Sequence, residues 1–454
     1  MRTLAEFQSL LRGRRTSAAE LVGDALTRAQ DPAGEGARVF TRLYADAAKA
    51  AASQSDVSRG RGQAQGPLAG IPVSIKDLFD VAGETTLAGS SACRGELPAT
   101  RHAAAVARLE AAGAVIVGKT SMSEFAFSGL GLNPHYGTPL NPWDRATRRI
   151  PGGSTSGGAV SITDGMAAAT LGTDTGGSLR IPAALCGLVG FKPTAARVPR
   201  EGAFPLSLTL DSVGPIASSV ACCALLDSLL RGAKGDVSQP RPAREIRLAA
   251  PRHFVLAGMD ETVGTAFERA KRRLTTAGIG ISNLDLAELD ELPEINAKGG
   301  FAAYESYAIH RERLERAGAE YDPRVRSRIL RGRDMDIGDL RMLEKLRERL
   351  IARITAASAG FDALLMPTVP VIAPALGPLE ASDEAYYRSN LLVLRNPSIA
   401  NFLDGCSISI PCHDPGEAPV GLMLIAARGF DRELLAVART VEALVSARFA
   451  ASAS

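Results

Sequence analysis

The sequence predicts an α/β protein: a single large domain with a mixed, mostly parallel central β-sheet covered by helices on both faces. Three observations carry that expectation. Short apolar runs alternate with amphipathic stretches through most of the 454 residues. Hydrophobic residues make up 46% and charged residues 22%, enough to bury a large core. Length alone allows two or three domains, yet no internal repeat or low-complexity linker marks a boundary.

The net charge of +3 gives no electrostatic case for nucleic-acid or membrane binding. Met1–Phe7 lacks a core of signal-peptide length, and no run of 18 apolar residues appears. A cytoplasmic protein is therefore expected. The six cysteines (93, 186, 222, 223, 406 and 412) form no Cys-x-x-Cys pair and read as buried free thiols. No metal-ligand spacing is present, so neither metal nor cofactor is expected.

In chain order, Thr3-x-x-Glu6 and Ser17-x-x-Glu20 fit capping boxes of two short helices, with Gly13 stopping the first. Residues 53–66 read as a loop, and Gly60-x-Gly62-x-x-x-Gly66 is one residue too long for a dinucleotide fingerprint. Ile71, Val73 and Ile75 alternate as in a strand that delivers Lys76 at its C-terminal end, where open α/β sheets bind ligands. Lysine is scarce here: eight residues against 44 arginines. A flank of Ile75, Leu78 and Phe79 predicts burial of Lys76, which lowers an ammonium pKa. A helix over 101–112 and a strand over 114–117 lead to Lys119, a rival base given a structural role near the site.

The strand expected over 167–173 leads to Ser178, which should open a helix, and 208–231 carries a turn and a helix. Strands are expected at 246–250 and 281–286, with a helix at 260–277 between them. A long Arg/Glu-rich helical stretch over about 292–358 reads as a solvated outer layer. Residues 363–366, 407–410 and 421–425 read as buried strands, and 431–447 as a closing helix.

The chemistry concentrates in Pro151-Gly152-Gly153-Ser154-Thr155-Ser156-Gly157-Gly158 and in Asp174-Thr175-Gly176-Gly177-Ser178. Glycine lets backbone approach a ligand closely, and a serine ahead of a helix start sits among N–H donors. Neither serine lies in a Gly-x-Ser-x-Gly elbow, and no Ser-x-x-Lys occurs. None of the five histidines (102, 135, 253, 310, 413) is flanked like a triad base, although His135 and His413 fall in loops near the candidate segments. What remains is lysine as base with serines as nucleophile and relay, which is chemically sufficient.

These segments, continuing through Leu179-Arg180-Ile181-Pro182, Cys186-Gly187 and Gly190-Phe191-Lys192-Pro193-Thr194, closely resemble the amidase signature family. The resemblance extends to Gly70–Asp77, Gly118–Phe125, Asn141–Asp144, Pro367-Thr368 and Pro419–Leu422. It implies one amidase domain over 1–454, with a signature core at about 65–215, a helical layer at about 292–358 and a C-terminal part, 360–454, returning to the sheet. It also implies a Ser–cis-Ser–Lys triad: Ser178 the nucleophile, Lys76 the base, and Ser154, on a cis bond after Gly153, the bridging serine. Thr175, Gly176, Gly177 and Ser178 would supply oxyanion N–H groups, and Asp174 and Arg180 a supporting charge pair. Ser156 is a rival for the relay, because many members carry only Ser-Ser before glycine where this chain has Ser154-Thr155-Ser156.

Two activities fit the resemblance. One is a stand-alone amidohydrolase acting on a small-molecule amide. The other resembles the A subunit of tRNA-dependent glutamine amidotransferases, delivering ammonia to a partner protein; Leu78 after Lys76-Asp77 argues mildly against it. Phe125, Phe127, Tyr136, Tyr304, Tyr307 and Phe402 suggest a pocket for an aromatic or aliphatic amide, and Arg326, Arg328 or Arg395 a carboxylate contact. The family often forms homodimers.

Overall fold

The computed structural model describes residues 1–446 apart from Asp236 and His253. Eleven strands form one continuous sheet: β1 (Phe40–Leu43), β2 (Pro72–Lys76), β3 (Val115–Thr120), β4 (Ala169–Asp174), β5 (Val189–Lys192), β6 (Ser212–Ala217), β7 (Arg247–Pro251), β8 (Gly280–Leu284), β9 (Ala363–Pro367), β10 (Cys406–Pro411) and β11 (Gly421–Ala426). Their order is β1-β3-β2-β4-β6-β5-β10-β11-β9-β7-β8, so strands from both halves of the chain lie side by side in one α/β domain.

The sheet is mixed, as expected. Parallel pairs join β2 to β3 and β4, and β7 to β8 and β9. The other six pairs are antiparallel, so the parallel share is smaller than the sequence suggests. Two of the six follow from the connections. β5 returns to β6, and β10 to β11, through segments without a crossover helix, and only such a crossover produces parallel neighbours. β2 lies between β3 and β4 with all five residues buried, which puts Lys76 at the end of an interior strand.

Both capping boxes form, starting helices Leu4–Arg12 and Ala18–Gln30, with Gly13 at the first C-cap. The loop expected over 53–66 is helical as far as Gly60, because the alanine-rich run from Ala45 carries the helix through the Ser/Gln stretch. The long helical stretch is divided into Leu292–Ile295, Gly300–Ala317, Pro323–Leu330 and Ile337–Ala357, interrupted at left-handed Gly299 and restarted at Pro323. It is not only an outer layer: Phe301, Val325, Ile329 and Leu350 are buried. The closing helix spans Asp431–Val445; position 447 of the expected range, like His253, lies outside the described residues.

The sequence reading passes over β1, β5 and β6, and over the 20-residue helix Asp383–Phe402 that follows the proline-rich loop. The six cysteines are free and buried. No helix among the described residues is long and apolar enough to cross a membrane.

Candidate active site

Lys76 is wholly buried, and its Nζ donates to Ser154 Oγ at 2.7 Å and to Thr173 Oγ1 at 3.0 Å. The parallel register of β2 on β4, with Ile75 opposite Leu171, brings Thr173 to the lysine. Burial pushes the Lys76 ammonium down to about 7, against the opposing pull of Asp174 and Asp211. Both unprotonated and protonated lysine are therefore populated near neutrality.

Ser154 follows a cis peptide bond from Gly153 and precedes the helix Ser156–Thr163. Gly153 N–H donates to Gly129 O at 2.8 Å, and a Cβ at Gly153 would come within 2.5 Å of Gly131 N. The loop carrying Ser154 thus lies backbone against backbone on residues 129–131, an approach only glycine permits. Ser156 points elsewhere, its Oγ to Ser121 O at 3.5 Å.

Ser178 sits one turn past the end of β4. It does not open the helix: that begins at Arg180, with Leu179 as N-cap. The Asp174 carboxylate organises this turn by accepting Gly177 N–H at 2.8 Å and Leu179 N–H at 3.0 Å. The first of these removes Gly177 from the four expected oxyanion donors, because its N–H is already bonded. Among the described residues, no acceptor meets the N–H groups of Thr175, Gly176 and Ser178, and no hydrogen bond joins Ser178 to Ser154. Such contacts are often long in ligand-free sites and tighten with substrate.

Arg180 holds Asp174 through bonds of 3.1 and 2.8 Å, both residues fully buried. Burial alone would raise the Asp174 carboxyl; Arg180 overrides it and holds the group down at about 2. Asn401, from the overlooked helix, completes the cluster: its Nδ2 donates to Asp174 Oδ1 at 2.9 Å and its Oδ1 accepts from Arg180 at 2.6 Å. Removing one partner of a buried pair strands the other charge, at a cost of about 3–5 kcal/mol. Asp174→Ala should therefore lower the unfolding free energy in urea by that order; a loss under about 1 kcal/mol would show that the pair does not hold the turn.

Asp211, just before β6, takes the Thr175 hydroxyl and the Leu206 and Ser207 N–H groups. It thereby ties the Ser178 turn to the loop that walls the neighbouring cleft. Lys119 pairs with Asp77 at 3.1 Å, buried and apart from Lys76's partners, in keeping with a structural role.

The Ser178 turn opens into a cleft of about 940 Å³ lined by Phe127, Leu210, Phe254, Phe301, Leu391 and Phe402, with Thr175, Gly176 and Ser178 at its wall. Of the expected aromatics, Phe127 and Phe402 line it; Phe125, Tyr136, Tyr304 and Tyr307 do not. Phe125 instead packs on His310 and Tyr321. Arg328 and Arg395 reach the cleft and Arg326 does not. His135 bonds Glu124 at 2.9 Å and His413 lies against Gly187, neither on the cleft. No group of three or more His, Cys, Asp or Glu side chains able to hold a metal occurs among the described residues.

A buried lysine is bonded to one serine, a second serine lies on a turn that carries free N–H groups, and sequence comparison gives the class of protein. The family model for amidases matches residues 20–435. The chain belongs to the amidase signature family and is a hydrolase acting on carbon–nitrogen bonds. It is similar to the 2-amino-5-chloromuconic acid deaminase of Comamonas testosteroni, 36% identical over 455 residues spanning 98% of this chain and 96% of the relative. It is also similar to the A subunit of the glutamyl-tRNA(Gln) amidotransferase of Anaeromyxobacter dehalogenans (strain 2CP-C), 36% identical over 467 residues spanning 94% and 92%. Among solved structures, the crystal structure of an amidase superposes with a TM-score of 0.88 at 34% identity, covering 98% of this chain and all of that one.

Proposed function

We propose that the chain is an amidohydrolase that cleaves a small-molecule carboxamide through a serine acyl-enzyme. The observation that carries this reading is the 2.7 Å contact between Ser154 and a buried lysine whose ammonium titrates near 7. Ser178 Oγ attacks the amide carbon while its proton passes through Ser154 to neutral Lys76. The oxyanion is held by the free N–H groups of Thr175, Gly176 and Ser178. Collapse breaks the C–N bond, and the proton returns through Ser154 to the departing nitrogen, which leaves as ammonia or an amine. Water then attacks the acyl-serine, gives its proton to Lys76 along the same path, and the carboxylic acid departs with Ser178 restored.

In this reading Ser154 and not Ser156 is the relay, because Lys76 donates to the first while the second faces Ser121. Asp174, Arg180 and Asn401 hold the nucleophile turn in place. No step calls for a metal or cofactor, so a chelator should leave turnover unchanged; inactivation by one would show a missing metal role. The similarity to the amidotransferase protein supports the second reading, release of ammonia from glutamine with a partner protein. Ammonia release by the purified chain alone, from small amides and from free glutamine, separates the two. Turnover of a simple amide supports the self-sufficient enzyme, and turnover of glutamine only with a partner supports the other.

A further inference from the structure

The cleft beside Ser178 carries more cations than acids. Four arginines line it, Arg328, Arg331, Arg388 and Arg395, against a single acid, Glu384. That acid is 86% exposed and already paired with Arg388 at 3.3 Å. An α-ammonium group leaving water needs a buried carboxylate to meet it, and among the described residues the cleft offers none. Three of these cations hold backbone carbonyls. Arg395 donates to the carbonyls of Val255 and Ala257, and Arg331 to that of Ala297. Arg328 donates to Phe127 O at 2.7 Å and stacks on the Phe127 ring at 4.2 Å.

The rest of the wall is mostly apolar, and the cleft is roomy. Phe254, Leu210 and the exposed Leu391 face this space, the largely buried Phe301 and Phe402 also line it, and about 940 Å³ is at the upper end of drug-sized ligand pockets. A compact polar amide would leave most of that apolar surface in contact with water. An extended hydrocarbon group covers it and gains from each methylene it buries.

From these features we infer that the substrate is an amide with a bulky apolar acyl group, arylalkyl or medium-chain alkyl, that carries no ammonium group. Zwitterionic amino-acid amides, free glutamine among them, are disfavoured because the cleft offers their ammonium group no buried carboxylate. This inference rests on the amidohydrolase reading for its chemistry, but the binding it describes is independent of turnover.

Two measurements test it together. In the first, kcat/KM for ammonia release is compared across acetamide, hexanamide, phenylacetamide, 4-phenylbutanamide and L-glutamine. Selectivity should rise by about fourfold per buried methylene, with 4-phenylbutanamide far above acetamide and glutamine lowest. In the second, calorimetry with Ser178→Ala measures binding of 4-phenylbutanamide and L-glutamine without hydrolysis. Binding of the aryl amide that weakens several-fold in Ser178→Ala/Leu391→Ala, with glutamine silent, is the expected result. Serine-dependent turnover that favours glutamine or acetamide would overturn the substrate class while leaving the amidohydrolase reading in place. Aryl amide binding with no turnover of any amide would overturn that reading and leave the class standing. Tighter binding of glutamine than of the aryl amide overturns the inference whatever the turnover.

Discussion

Ser178→Ala should abolish amide hydrolysis, lowering kcat by about a millionfold, the scale seen when a serine hydrolase loses a triad member. The expectation follows from position. Ser178 lies on the cleft wall in the same turn as the unoccupied N–H donors of Thr175 and Gly176, and the other hydroxyl of that turn, Thr175, is bonded to Asp211. The turn itself should survive, because its bonds run through Asp174 to the backbone of Gly177 and Leu179 and not through the serine hydroxyl. Circular dichroism and the urea midpoint should therefore match those of the parent protein. Residual turnover above about 1% in Ser178→Ala would move the nucleophile elsewhere, with Ser154 the first alternative.

Lys76→Met should cost about 10²–10⁴-fold in kcat, the contribution of a positioned general base, and it should change the pH dependence in a defined direction. Neutral Lys76 is the active form, so kcat/KM of the parent protein should fall tenfold per pH unit below about 7 and level off above it. That acid limb should vanish in Lys76→Met. Asp211 pulls the lysine upward, so Asp211→Asn should move the limb to lower pH. Stability follows by linkage. A lysine depressed to about 7 in the folded state, against about 10.4 unfolded, binds fewer protons folded than unfolded between those values. Folding stability should thus rise with pH across that window, and its burial penalty applies in full below about 7. Lys76→Met removes that penalty and should raise the thermal midpoint at pH 6. A variant that keeps near-normal turnover, or an unmoved acid limb, would contradict the lysine base.

What could be read in advance was whatever a few consecutive residues encode. The alternation of Ile71, Val73 and Ile75 places Lys76 at a strand end, and that is where β2 ends. The two capping boxes and the glycine pairs around Ser154 and Ser178 are equally local. The oversights have a common physical cause. β5 contains Gly190, and β6 carries Gly214 and Pro215 in mid-strand, residues that argue against strands by propensity. The helix Asp383–Phe402 holds Pro397 and is buried on several sides near its C-terminal end, so it lacks an amphipathic period. Asn401 and Asp211 lie 227 and 36 positions from the residues they hold, and no local pattern points to them. The aromatic wall shows the same limit. Phe301 and Phe254 face the cleft while Tyr304 and Tyr307 turn away, a choice set by how helices pack and not by composition.

The most direct test of the acyl-enzyme account is to quench the protein in acid during steady-state turnover of 4-phenylbutanamide and weigh it intact. The account predicts a fraction of molecules heavier by the acyl group, and peptide fragmentation should place that group on Ser178. An acyl group on Ser154 or on a cysteine, or none during turnover even at a pH where deacylation is slowed, would contradict it.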